Sequence, residues 1–359
     1  MQISVFPGFV RALSLAALLW AFAEVWPAVA LAPKSPLPKR PQSELPKSEA
    51  PALGSELRAG LAKEVQKAGR AVKELSVHVV DLQSGQAVFN HYANRSRIIA
   101  SNTKLFTTAA ALDRLGPGFA FETPLLMQGA VRDGVLEGGL AVVGSGDPNF
   151  SGRHFDGDFF AVFRPWARAL RELGVREVAG DTLLVHGLFR GPFVHPDWPR
   201  EQLDQWYEAP VASLSFNDSC VLVRVFPGPR PGAPARVETV PPVGGLSVSS
   251  TAQTAATGRG RRIRIHRRAG DGTVQVEGRI ALGSEPVEEW VTVPNPVAYF
   301  GLALRAAFEE EGIRLRGLRP SVNLPDGPWR RLSEHRTDLL TTLEVINKRS
   351  QNFYAESLL

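Results

Sequence analysis

Two hydrophobic periods alternate along this chain. Between Glu56 and Glu74, Leu57, Leu61, Val65, Ala68 and Val72 fall at helical spacing, and Leu75 to Asn90 reads as two strands that turn at Ser84-Gly85. Ser101 to Leu115 returns to the helical period, with Leu105, Ala109, Leu112 and Leu115 on one face and a stop at Gly116-Pro117-Gly118. That stretch is too apolar for a surface helix, so the pattern predicts a central helix whose polar first turn faces a buried site. From Phe119 to about Glu288 the texture changes to short alternating runs between Gly, Pro and Asp turns, with one helix expected over Asp158 to Glu172. Helical spacing resumes near Pro294, carried by Val297, Phe300, Leu304, Ala307 and Phe308, and again from Asp338 to Leu359. No internal repeat is visible.

The N-terminus follows a different rule. Met1 to Arg11 carries one positive charge, Ala12 to Phe22 is apolar, and Ala28-Val29-Ala30 is a small-x-small cleavage site. This is the pattern of a secretory signal peptide over residues 1–30, cut near Ala30 or Ala32. Glu24 and Pro27 hold the apolar run below the ~20 residues that a membrane span needs, and no Cys lies near the cut to carry a lipid. Residues 31–53 alternate Pro with Lys, Ser and Glu and read as an extended tether. The folded part is therefore expected outside the cytoplasm, periplasmic or otherwise exported.

Composition narrows the chemistry. With 44% hydrophobic and 21% charged residues, the chain has material for a large core and roughly two or three domains. Its single cysteine, Cys220, excludes an intrachain disulfide and a four-thiolate zinc site, and the seven histidines contain no HExxH pair. No metal or cofactor is expected. The net charge of +5 suits an anionic cell-wall polymer or a membrane surface as readily as nucleic acid. The most basic run, Arg261 to Arg268, alternates Ile263 and Ile265 with Arg262, Arg264 and His266, which reads as a strand with one solvated basic face ahead of an anionic-glycan or nucleic-acid grip. Beyond Glu74 the only lysines are Lys104 and Lys348. A lysine can surrender its proton where arginine cannot, so these mark places to look for chemistry.

Lys104 lies three residues after Ser101 at a helix start, so ammonium and hydroxyl share one face. A serine hydroxyl becomes a nucleophile when a neighbour takes its proton, and a lysine can do so if burial and the helix dipole lower its pKa. Such a four-residue match arises by chance about once in a chain of this size. None of the other lysines has a Ser at that spacing. Ser350 and Asn352 form a second element, SxN, at the start of another helical stretch. A hydroxyl there can relay a proton to a leaving amine, and a carboxamide can hold a peptide group by one donor and one acceptor. Gly144-Ser145-Gly146 reads as a turn, Asp147, Asp156 and Asp158 as solvated loop acids, and Cys220 as a small core residue.

Five blocks in order, ASNTKLFTTAAAL, GSGDPNF, YEAPVASLSFNDSCV, VPNPVAYFGLALRAAFEEEGI and INKRSQNFYAESLL, resemble the D-Ala-D-Ala carboxypeptidase/endopeptidase family, the class C low-molecular-mass penicillin-binding proteins. The resemblance runs from about Glu56 to Leu359. It implies an α/β (α+β) penicillin-recognising serine peptidase domain interrupted by inserted β-rich modules: first segment 54–118, insertion 119–288, second segment 289–359. By that resemblance Ser101 is the acylated nucleophile, Lys104 its base, Ser350 a proton relay and Asn352 a substrate-positioning amide. Peptidoglycan stem peptides are the implied substrates, and β-lactams the implied covalent inhibitors. The family's third motif, KTG or a close variant, has no counterpart after Asn352. The one TG dipeptide, Thr257-Gly258, precedes SxN. The chain is therefore expected to be a C-terminally truncated, impaired member, and the competing expectation is an inactive exported cell-wall-binding protein on the same fold.

Overall fold

The computed structural model describes residues 53–72, 74–258 and 262–359. The signal peptide and nearly all of the Pro-rich tether lie outside the described residues. The chain divides into two compact units, the first ending at Arg97 and the second running Ile98–Leu359.

In the first unit, α1 (Leu53–Gly69) precedes an antiparallel hairpin of β1 (Val77–Val80) and β2 (Ala87–His91). The Asp81 carboxylate closes the turn by accepting from the backbone N–H groups of Gln83 and Ser84 at 2.7 and 3.0 Å, an Asx turn that competes with strand continuation.

The second unit opens with α2 (Thr103–Leu115), followed by β3 (Ala120–Met127), β4 (Val131–Arg132), β5 (Val135–Leu136) and β6 (Leu140–Val143). Then come α3 (Arg164–Glu172), β7 (Glu177–Val185), β8 (Cys220–Phe226), β9 (Arg236–Val240), β10 (Ser247–Ser250), β11 (Gln253–Ala255), β12 (Arg262–Arg267), β13 (Thr273–Ala281) and β14 (Val287–Thr292). It ends with α4 (Pro296–Glu310), β15 (Arg314–Ser321), β16 (Arg330–Asp338), α5 (Leu339–Arg349) and α6 (Asn352–Glu356). The fold is mixed α/β, as the five blocks imply.

A seven-stranded mixed sheet runs β16-β3-β6-β7-β5-β4, with β15 also paired to β7. β16 is antiparallel to β3, while β6, β5 and β15 are parallel to β7. The apolar faces of α3 and α4 cover this sheet through Trp166, Leu170, Phe300, Leu304 and Phe308, all fully buried. Phe150, Phe163 and Phe300 meet tilted or edge to face, with ring centroids 5.1 to 5.7 Å apart, the geometry that aromatic quadrupoles favour. Two smaller sheets, β14-β8-β9 and β10-β13-β11 with β12 on β13, share a second core of Val223, Val274, Val276 and Ile280. On β12 the expected alternation is present, Ile263 and Ile265 packing inward and Arg262 and Arg264 exposed. Arg267 at its end is buried instead, donating to the Thr292 and Leu203 carbonyls, each at 2.9 Å.

The block GSGDPNF shows why glycine is required. A Cβ on Gly144 would lie 2.5 Å from the Ser213 carbonyl oxygen, and Gly146 has φ +80°. The stretch expected as a turn is irregular chain instead, its Gly144 and Gly146 N–H groups donating to the Val185 and Ser213 carbonyls at 2.9 and 3.0 Å, with the Ser145 hydroxyl 2.7 Å from that of Thr123. Asp147, expected as a solvated acid, is 2% exposed. Its Oδ1 accepts from the Asn149 backbone and carboxamide at 2.9 and 2.8 Å, and Asn149 Nδ2 donates to Thr342 on α5 at 2.9 Å. The other Asp147 oxygen, Oδ2, makes no hydrogen bond among the described residues and faces His335 Nε2 at 3.4 Å, while the Oδ1 contacts tie the sheet to the helix that precedes Ser350.

Candidate active site

A short 3-10 turn, Ala100–Asn102, leads into α2, so Ser101 stands just before the helix and Lys104 in its first turn. Ala100 has φ +46°, a left-handed conformation costly for a residue with a Cβ. Three residues after Ser101, the Lys104 ammonium donates to the Ser101 hydroxyl at 3.1 Å. Partial burial lowers the Lys104 pKa below the ordinary lysine range, and the Glu356 carboxylate opposes this shift. The Glu356 carboxyl is itself pushed up by burial, against the pull of His195 and Lys104.

The burial of α2 differs from expectation. Thr108 and Ala111 are its buried residues, whereas Leu105 and Phe106 are 57% and 69% exposed and Leu112 and Leu115 are exposed as well. The face turned inward is the one that meets α5, where Thr108 and Asn347 bond side chain to side chain at 3.3 Å. Helical period fixes which residues share a face, and packing chose the more polar face here.

The predicted helix over Asp338 to Leu359 is broken into α5 and α6 at Ser350, which has φ +57° and ψ +36°. Past this left-handed residue the next two side chains are held apart. Gln351 Nε2 donates to Asp218 Oδ2 at 2.6 Å, and Asn352 Nδ2 donates to the Tyr207 carbonyl at 2.7 Å. Asp218 also pairs with Arg153, whose Nε lies 3.2 Å from the Tyr354 hydroxyl. Burial raises the Asp218 carboxyl pKa, with Arg153 and Gln351 pulling it down. Among the described residues, Asn352 Oδ1 and the Ser350 hydroxyl take part in no hydrogen bond.

The structure thus joins Ser101 and Lys104 directly and packs α5 and α6, which flank and carry the SxN residues, against α2. Neither Ser350 nor Asn352 hydrogen-bonds to Ser101 or Lys104 among the described residues. Sequence reasoning missed Glu356, although its spacing of four from Asn352 places both on one face of α6. It also missed Gln351, the middle residue of the motif itself. Among the described residues no group of three or more His, Cys, Asp or Glu gathers as metal ligands.

A family model described as the D-Ala-D-Ala carboxypeptidase 3 (S13) family matches residues 57–359. A D-alanyl-D-alanine carboxypeptidase from Actinomadura sp. is 30% identical over 295 residues, covering 79% of this chain and 52% of that protein. The D-alanyl-D-alanine carboxypeptidase DacB of Haemophilus influenzae is 25% identical over 285 residues, covering 77% of this chain and 56% of that protein. The crystal structure of penicillin binding protein 4 (dacB) from Haemophilus influenzae matches with TM-score 0.66 and 23% identity, covering 82% of this chain and 64% of that one. A second structure of that protein, complexed with a β-lactam, matches with TM-score 0.61 and 22% identity. The chain spans about half the length of the curated relatives it matches.

Proposed function

The chain belongs to the D-Ala-D-Ala carboxypeptidase 3 (S13) family, and from that membership we propose an exported serine-type D-Ala-D-Ala carboxypeptidase/endopeptidase that acts on peptidoglycan stem peptides and is acylated by β-lactams. The observation that carries this reading is the 3.1 Å contact between Lys104 Nζ and Ser101 Oγ, with the lysine pKa lowered by burial. A neutral Lys104 takes the Ser101 proton as Oγ attacks the carbonyl carbon of the penultimate D-alanine. The tetrahedral oxyanion forms beside the start of α2, at the positive end of the helix dipole. Collapse breaks the peptide C–N bond, and the proton held by Lys104 passes through the Ser350 hydroxyl to the departing D-alanine amine. Asn352 Oδ1 accepts from a substrate peptide N–H. Water then hydrolyses the acyl-serine ester, with Lys104 again as base.

Export rests on the pattern of residues 1–30, and no helix among the described residues is long and apolar enough to cross a membrane. The second reading, an inactive exported cell-wall-binding protein, is favoured by the absence of hydrogen bonds between the SxN side chains and the Ser101–Lys104 pair among the described residues. A fluorescent penicillin separates the two. Covalent label mapped to Ser101 by mass spectrometry and lost in Ser101→Ala supports the enzyme. A folded chain that takes no label supports the binding protein.

A further inference from the structure

Behind the SxN turn lies a cavity of about 300 Å³ whose floor holds Arg153, Asp218 and Gln351 and whose walls include Trp206 and Trp290. We propose that this cavity binds one neutral pyranose ring of a saccharide.

The walls are built by strand-like pairing. Gln205 bridges Val291 in antiparallel sense, which sets Trp206 opposite Trp290. The two indoles are 41% and 39% exposed, and among the described rings no stacking joins them, Trp206 packing edge-on against Tyr207 at 5.7 Å. Two tryptophans standing open on one cavity leave a large apolar area uncovered unless a ligand covers it.

The floor supplies the polar half. Asp218 Oδ2 is satisfied by Arg153 and Gln351, but Asp218 Oδ1 and Gln351 Oε1 are buried without a hydrogen-bond partner. Gln351 is 9% exposed. Buried acceptors without donors are costly, and both side chains line the cavity, so a hydroxyl that turned either oxygen toward it would give that oxygen its first donor. The loop that presents Asp218 holds three consecutive left-handed residues, Asn217, Asp218 and Ser219, at φ 50°, 54° and 53°. Strain of this kind gathers where a fold must fix a side chain against a ligand.

Ligand class follows from the mixture. A purely apolar ligand leaves both acceptors unpaired, an anion meets the Asp218 carboxylate, and a cation meets the Arg153 guanidinium. A pyranose offers a C–H face to an indole and hydroxyl donors to carboxylate and carboxamide oxygens, and the cavity is at the small end of the ~300–1,000 Å³ range of ligand sites.

The test is calorimetric titration of the full chain with tri-N-acetylchitotriose and, separately, cellotriose, the second probing whether an acetamido group matters. Binding of either is expected, weakened about threefold to tenfold in Trp206→Ala and in Trp290→Ala and recovered in part by Trp206→Phe and Trp290→Phe, with circular dichroism checking that each variant folds. No binding of either sugar up to about 20 mM, the weak end of specific recognition, would overturn the proposal, as would binding that both alanine variants leave unchanged. The titration needs no acyl chemistry, so Ser101→Ala is titrated in parallel. An unreactive Ser101 and an empty sugar site are then separate results.

Discussion

At the scale of single residues the balance at Lys104 decides most. Burial lowers its pKa and Glu356 raises it, so the carboxylate favours the ammonium and works against a general base. Glu356→Gln removes that support, lowers the Lys104 pKa further, and enlarges the neutral fraction at any given pH. Acylation by a β-lactam should rise with pH as Lys104 loses its proton, with an inflection below the ~10.4 of a free lysine, and the variant's inflection should move to lower pH. An unmoved profile would mean that another group sets the rate. Ser350 carries a different tension, since its left-handed backbone suits glycine and its hydroxyl suits catalysis. Ser350→Gly relieves the backbone but frees the unfolded chain, so thermal unfolding should change by less than about 0.5 kcal/mol while acylation falls by about 10²-fold or more. Equal acylation would remove Ser350 from the relay. Glu356 and Gln351 were illegible in the sequence because both act through residues far from them in the chain, and spacing records only near neighbours.

Elements were read better than their surroundings. The start of α2, the hairpin in the first unit and the alternation on β12 follow from local period and turn chemistry, which the sequence states directly. What covers each face is not local. The Leu105 side of α2 was expected inside, and Leu105 is 57% exposed. A helical stretch was read as starting at the SxN residues, but the left-handed backbone of Ser350 was not, since neither Gly nor Pro stands there to announce it. Exposure of α2 makes a contrast that unfolding can measure. Phe106→Ser should alter stability by no more than about 0.5 kcal/mol and reduce self-association in sedimentation, because an uncovered apolar stripe is sticky. Phe300→Ala, which empties a fully buried site, should cost about 3–5 kcal/mol. A comparable loss from Phe106→Ser would show that its ring is covered in solution.

For the whole molecule, the family could be read from five ordered blocks, because their spacing survives where single motifs would not be decisive. Sheet partnership was the part no local pattern could give: β3 takes β16 as its neighbour, and β7 takes β15. That pairing sets a timetable. Roughly 200 residues separate β3 from its partner, which at ~5–20 residues per second is about 10–40 s of synthesis during which one edge of the growing sheet has no neighbour. An edge left open for that long offers its unpaired N–H and C=O groups to other chains until the closing strand has been made.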